Sequence, residues 1–307
     1  MSRKSFRPTP GFAALRLAAL SGALVAAVPA VTGQALAQGV GYDPYAQQAQ
    51  SESLIPSFTS APVGSARWIL TVSANASVGP SFRGSDKYTI TPYPLVSIRR
   101  GGQARRPAIP GDSASLDLLN DDYFSFGPTV RYRSGRYFAD DRKLFGLRKL
   151  PWTVEGGAFI EVWPTHNLRA RVEARHGFRD EDGWVVDFGG DFVQQMGQFT
   201  FTIGPRMSWG SDKTARNTFG VTAYEAALNN LVFPQHGLHA YSAQAGIQSG
   251  GAAASLAYQV NEQWSATAKA SYDRLVGDAG KSPLVRNLGD RNQFNFGLTA
   301  AYSFGVN

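Results

Sequence analysis

Four histidines and no cysteine are what this 307-residue chain offers for catalysis or metal binding. Without a thiol there can be no thiolate nucleophile, thiolate–metal site or disulfide. A hydrolase or acyltransferase of a lipid layer would instead need a hydroxyl nucleophile, a histidine base and an orienting acid within reach of one another. His166 and His176 fall on the apolar parity of one alternating segment, at its two ends, which suits residues at an interface more than a base in a polar pocket. His236 and His239 form an HxxH near Pro234, but no carboxylate motif accompanies them. Gly189-Gly190 and Gly250-Gly251 do not read as phosphate loops; glycines of this kind relieve crowding in a curved sheet. The sequence therefore assigns no catalytic, cofactor or metal-ligating residue.

A sharper signal lies in charge spacing. In NLRARVEARHGF, residues 167–178, Arg169, Arg171, Glu173 and Arg175 occupy every second position, with Leu168, Ala170, Val172 and Ala174 between them. A helix would scatter these charges, whereas a strand gathers them on one face. A three-residue turn at Pro164–His166 would set Glu161 opposite Arg169 and Glu155 opposite Arg175. A turn centred on Glu181 would set Asp187 opposite Arg175 and Asp191 opposite Arg171. Arg131, Arg133 and Arg206 share the same parity. The ladder Glu155, Glu161, Arg169, Arg171, Arg175, Asp187, Asp191 and Arg206 reads in two ways. It is a selectivity element of a pore, or an interlocked filling that closes a narrow interior. The near balance of acids and bases favours the filling.

The elements that would carry such a ladder recur along the chain. Period-two alternation marks spans near 67–79, 87–99, 123–133, 152–163, 167–178, 184–194, 197–209, 252–260, 263–275 and 292–304. Weaker alternation near 217–226 and 238–249 would raise the count from ten to twelve, and 113–119 could pair briefly. No stretch carries a convincing helical period. The spans have the length a tilted strand needs to cross a bilayer, and aromatic residues such as Trp68, Tyr132, Trp184, Trp264 and Tyr302 sit at their ends. The expected fold is thus all-β: a transmembrane antiparallel β-barrel of twelve strands, with ten as the alternative, over 67–305. Parity returns the C-terminus to the side of entry. Short links at Pro164–His166 and Gln195-Met196 would be periplasmic, and Ser134–Pro151 and Gly277–Arg291 would face outward. The Arg-, Pro- and Gly-rich stretch Gly101–Asp112 fits neither class, and reads as a periplasmic excursion or a fold into the lumen.

Residues 1–37 read as a cleaved secretory signal, with a basic start, an apolar run from Leu17 to Val31 and Ala35-Leu36-Ala37 before the cut. They carry four basic residues and no acid, so the net charge falls from +7 to +3, too little to imply nucleic acid. Residues 38–66 are polar and patternless, a flexible periplasmic lead-in.

Several motifs together resemble the MipA/OmpV family of outer-membrane proteins. They are GPSFRGSDKY (79–88) followed by PYPLV (92–96), YRSGR (132–136), EGGAF (155–159), FGV (219–221) and RLVGDAGKSPLV (274–285). The resemblance spans 67–304. It implies an outer-membrane location in a Gram-negative bacterium, contact with outer-membrane lipid, and a non-catalytic scaffold role that brings a murein hydrolase together with a murein synthase. The ending departs from the usual aromatic terminus, since Gly305-Val306-Asn307 follow Phe304. A small-solute channel is the alternative function, and a lipid-modifying enzyme comes third. Under the scaffold reading, Arg105 and Arg106 and the lead-in are the candidate partner contacts.

Overall fold

The structure, a computed structural model, describes residues 68–101, 109–121, 123–179 and 183–306. The expected signal at 1–37, the lead-in at 38–66 and the pair Arg105 and Arg106 lie outside the described residues. Ten long antiparallel strands make the wall: β1 Trp68–Pro80, β2 Tyr88–Arg100, β5 Phe124–Arg133, β6 Thr153–Thr165, β7 Leu168–Gly177, β8 Trp184–Met196, β9 Phe199–Gly210, β10 Gly246–Gln259, β11 Trp264–Leu275 and β12 Asn292–Val306. Two stubs, β3 Ala114–Ser115 and β4 Leu119–Asn120, both pair with β5 and complete a twelve-stranded sheet. Its order, β2-β1-β12-β11-β10-β9-β8-β7-β6-β5-β3, brings the last strand against the first and curls the sheet into a transmembrane barrel wall.

Twelve strands were expected, but not these twelve. Residues 217–226, read as a weak strand, belong instead to the end of helix α1 (Asp212–Phe219) and the start of α2 (Ala223–Val232). Within 238–249 only the last residues are strand, the beginning of β10. Two further short helices, α3 Gly277–Lys281 and α4 Pro283–Leu288, lie between β11 and β12. None of the four is long enough to print a helical period on the sequence. The readable signal was local: Thr222 and Glu225 form a reciprocal capping box at the start of α2.

Side chains of the wall obey the alternation. Val72, Ile160, Phe188, Ile203, Leu298 and their kin are exposed on the outside, where lipid covers them. Ser73, Thr129, Glu161, Arg175, Thr202 and Ser303 are buried on the inside. Aromatic pairs gather at strand ends, including Tyr132 stacked on Trp152 at 5.9 Å and Trp264 against Tyr302 at 5.0 Å. Amphipathic rings of this kind belong at the two membrane–water boundaries.

The two ends of the barrel differ. At one end the links are tight: 166–167, 197–198 and 260–263. At the other the long links fold together into a cap with its own apolar core. Phe82 from the β1–β2 turn, Leu144 from the β5–β6 link, Val221, Ala226 and Leu238 from the β9–β10 link, and Leu284 and Leu288 from α4 form one cluster. Ala215, Phe219, Ala243, Leu275, Ala279 and Val285 form a second. Polar ties lock it: Asn229 Nδ2 donates to the carbonyls of Lys143 (2.9 Å) and Phe145 (2.6 Å), and Ser282 Oγ donates to Phe219 O (2.6 Å).

Burial by itself would raise the Glu225 carboxyl. The backbone N–H groups of Thr222 and Arg148, the Thr222 hydroxyl and the Arg148 charge overcome that and hold it below the usual carboxylate value. A depressed pKa stabilises the fold above the unfolded value of 4.5, and that contribution disappears as pH falls through the folded value. The cap is therefore expected to loosen in acid, measured as protease cutting within residues 212–245, and Glu225→Gln should flatten this pH dependence. Leu288→Ala, which empties a fully enclosed site, should cost about 2–5 kcal/mol within the cap. Proteolysis of the loops should rise while the barrel keeps its heat-modifiable migration on gels.

Candidate functional site: a charged lumen and its inward segment

Strand β7 carries the ladder. Arg169, Arg171, Glu173 and Arg175 all point inward and all are buried. The neighbouring strands supply Glu155 and Glu161 from β6, Asp187 and Asp191 from β8, Arg206 from β9, and Arg131 and Arg133 from β5.

The ladder residues meet, but in a different register from the expected one. Glu161 lies opposite Arg171 rather than Arg169, and Glu155 opposite Gly177 rather than Arg175. Asp187 lies opposite Glu173 rather than Arg175, and Asp191 opposite Arg169 rather than Arg171. On the β6–β7 side the turn is shorter than expected: Thr165 pairs with Leu168, with a register shift between Val162 and Thr165. Each ladder thus slides by two residues, which preserves the face and changes the partner.

Arginine length bridges the offset. Arg169 still reaches Glu161 at 2.8 Å and Arg175 still reaches Glu155 at 3.3 Å, now along diagonals. Arg169 also binds Asp191 at 2.6 Å, and Arg171 binds Glu161 at 3.0 Å and Glu173 at 2.8 Å. Two carboxylates directly opposed, Glu173 and Asp187, would repel. Here Arg175 binds both, and Arg131 adds contacts of 2.8 Å to Asp187 and 3.6 Å to Glu173. Arg133 takes Glu155 at 3.2 Å, and Arg206, lying over Gly189, takes Asp191 at 2.6 Å.

Period two already put Glu173, Arg131 and Arg133 on this face. It could not have found the other half of the site, which comes from the stretch before β3. Ile109 packs on Trp163 and Val193 inside the barrel. Asp112 binds Arg169 at 2.5 Å, and Ser113 donates its N–H (3.1 Å) and hydroxyl (2.5 Å) to Glu173. The carbonyls of Pro110 and Gly111 accept from Arg206 (3.1 Å) and Arg131. Of the two alternatives for Gly101–Asp112, the described part takes the second: residues 109–113 fold into the lumen. Gly111 turns there with φ of +94°, a conformation costly for residues with a Cβ.

Beyond this segment, towards the cap, lies a cavity of about 440 Å³ lined by Arg83, Arg133, Glu155, Asp187, Ser249, Ser271, Asp273 and Asn295, among others. Arg83 donates to Gln248 (2.9 Å) and Ser249 (3.2 Å), and burial draws its pKa down against the pull of Asp187 and Asp273. On the wall from β10 through β12 to β1 the inward charges are Lys269 and Asp273 of β11, and the ties are mostly hydroxyl and amide bonds such as Thr71 to Ser303 (2.7 Å) and Thr299 to Asn75 (2.7 Å). The histidines stand apart from the network. His176 packs edge-on against Trp184 at 5.2 Å, His166 is exposed in its turn, and His236 is engaged by Asn229 at 2.9 Å and stacked on Phe233. Among the described residues no group of three or more His, Asp or Glu is placed to hold a metal ion.

The sequence model of the family described as MltA-interacting protein MipA matches residues 72–304, nearly the whole barrel. The chain belongs to the MipA family. It is a barrel of the Gram-negative outer membrane, and the end with long links therefore faces outward. No curated protein sequence matches it. Among solved structures it resembles the NanC porin (9% identity, 76% of this chain and 98% of that one, TM-score 0.37). It also resembles an outer membrane channel from Pseudomonas putida (12%, 78% and 96%, TM-score 0.38). A third is the N-terminal β-barrel domain of Pseudomonas aeruginosa OprF (9%, 77% and 97%, TM-score 0.25). These likenesses do not bear on function.

Removing one partner of a buried ion pair leaves its charge uncompensated, at about 3–5 kcal/mol. Arg175→Ala should fall in that range in urea unfolding of the micelle-bound barrel. Arg175→Glu should be worse. Glu155→Arg should recover only part of that loss, because Glu173 and Asp187 also depend on Arg175. Gly111→Ala should cost about 1–2 kcal/mol from backbone strain alone.

Proposed function

We propose that this protein is a non-catalytic scaffold of the outer membrane, which holds murein-processing enzymes at its periplasmic end, and that it is not a solute pore. The supporting observation is the filled lumen. Arg169 ties Asp112 of the inward segment to Glu161 and Asp191 of the wall. Acids and bases there are consumed by one another rather than displayed along a path. The cap adds a packed apolar core over the outer end. The family description, an MltA-interacting protein, agrees with a partner-binding role.

Surface for periplasmic partners is scarce on a barrel whose three hairpin links at that end, 166–167, 197–198 and 260–263, are two to four residues long. By chain connection, the residues that precede Trp68 and those that follow Arg100 are joined to the barrel there. The candidate contacts are therefore the lead-in and the pair Arg105 and Arg106. Deleting Gln38–Pro62, or replacing Arg105 and Arg106 with Ser, should weaken capture of murein hydrolase and synthase from membrane extract while heat-modifiable barrel still assembles. In planar bilayers the wild-type protein should give no steady conductance steps. Asp112→Ala with Ser113→Ala, which frees the inward segment, should produce them. Full capture by both periplasmic variants, or steady wild-type pores, would turn the assignment towards a channel.

A further inference from the structure

Two arginines that line the cavity beneath the cap are unlike those of the ladder. Arg169, Arg171 and Arg175 each contact at least two carboxylates. Arg83, from the β1–β2 turn, and Arg136, from the β5–β6 link, contact none among the described residues. Arg136 is only 3% exposed. Its Nη1 donates to Thr218 O at 2.7 Å, near the C-terminus of α1, and its Nε has no partner among the described residues. That bond caps the helix but brings no full negative charge to the guanidinium. Burial, and after it the neighbouring Arg148, draws the Arg136 pKa down to about 10 against the pull of Glu225. Arg83 donates to Gln248 and Ser249, and a guanidinium has more N–H groups than those bonds use. It lies 5.7 Å from the centre of the Phe219 ring. Thr218 and Phe219 are consecutive, so both cations converge on the end of α1. Thr218 also keeps a buried hydroxyl without a partner among the described residues, and it too lines the cavity.

A buried guanidinium without a counter-charge is costly unless something negative comes to it. The cavity has room for that: its volume of about 440 Å³ lies within the range of small-molecule sites. Away from the two cations its lining includes Ser249, Ser271 and Asn295, with the carboxylate of Asp273. Asp273 makes no ion pair among the described residues and acts on Arg83 only at a distance. The other carboxylates of the lining, Glu155 and Asp187, are already taken by arginines of the ladder and of β5. A carboxylate can accept from neighbouring hydroxyls with both oxygens, and a carboxamide both donates and accepts. Such a set suits a chain or ring of hydroxyls.

We propose that this cavity binds a small hydroxylated carboxylate of the sugar-acid class, its carboxylate held by Arg83 and Arg136 and its hydroxyls by Asp273, Ser271 and Asn295. The ligand brings the negative charge that neither arginine has in contact. Arginine recognises a carboxylate through paired N–H groups, which makes the site selective for the acid over the corresponding neutral polyol. The site is independent of the scaffold reading, because it lies on the outer side of the inward segment, away from the periplasmic links. It is a pocket rather than a path, since Pro110 and Gly111 lie across its floor.

Calorimetry on the folded barrel in detergent micelles tests this with D-gluconate and D-glucuronate, and with sorbitol and glucose as uncharged counterparts. Because the cap lies over the cavity, each probe is also added during refolding. At least one acid should bind saturably at a single site per chain, and neither neutral compound should. Arg83→Gln and Arg136→Gln should each weaken binding about 10- to 100-fold, the loss expected for a hydrogen bond to a charged group. Arg142→Gln, on the exposed surface of the cap, should change nothing. If Arg136→Gln disturbs the cap, Ser271→Leu, which fills the cavity and leaves both arginines in place, should abolish binding instead. Bound acid should also slow protease cutting within residues 212–245 in the wild type, and not in the Arg83 variant. No saturable binding of either acid, equal binding of the neutral counterparts, or full binding by Arg83→Gln or Ser271→Leu would overturn the proposal.

Discussion

A guanidinium enclosed in a barrel has no water to spread its charge into, and its position is tolerable only where carboxylates come to it. Arg169 illustrates the constraint, with acids from β6, β8 and the inward segment on one side chain. Once β7 places four charges on the inner face, much else follows. The neighbouring strands must answer with acids at reachable heights. Where two acids then oppose each other, as Glu173 and Asp187 do, arginines must stand on either side. Residues 109–113 are drawn in because they supply a further carboxylate, a hydroxyl and free carbonyls. The lumen is occupied as a by-product of neutralising it.

The outward end can be understood against that interior. The cap is held chiefly by a conventional apolar core, with Glu225 and its Thr222 and Arg148 partners as a charged tie, and it is made from links that in an empty porin would border the mouth. The barrel is therefore tied across its middle and covered on top.

Much of the wall was legible in the sequence because alternation is a property of single residues: Arg169 to Arg175 declare their face without reference to any neighbour. Register was less legible, since it depends on the turns, and the tight Thr165–Leu168 turn with the irregularity between Val162 and Thr165 moves the β6–β7 partners by two. The ion pairs of Arg169 with Glu161 and Arg175 with Glu155 survive the shift only because arginine is long. The short helices escaped because eight or ten residues carry too little period, although the Thr222–Glu225 capping box was present to be read. Asp112 and Ser113 had no periodic signal at all; only the folded chain brings them to Arg169 and Glu173.

The division of the wall into a densely charged half and a sparsely charged one has a mechanical consequence. Strands β6 to β9 are cross-braced by multivalent arginines, so that sliding one strand against the next would break several charged contacts at once. Strands β10 to β12 and β1 are joined through their backbone ladders and single hydroxyl or amide bonds such as Asn295 to Ser271 (3.4 Å). Under lateral pressure from the bilayer, the first group behaves as a stiff shell and the second as the compliant one. Changes in cross-section then concentrate on the β10–β1 side, and the stiff side serves as the frame against which they are made.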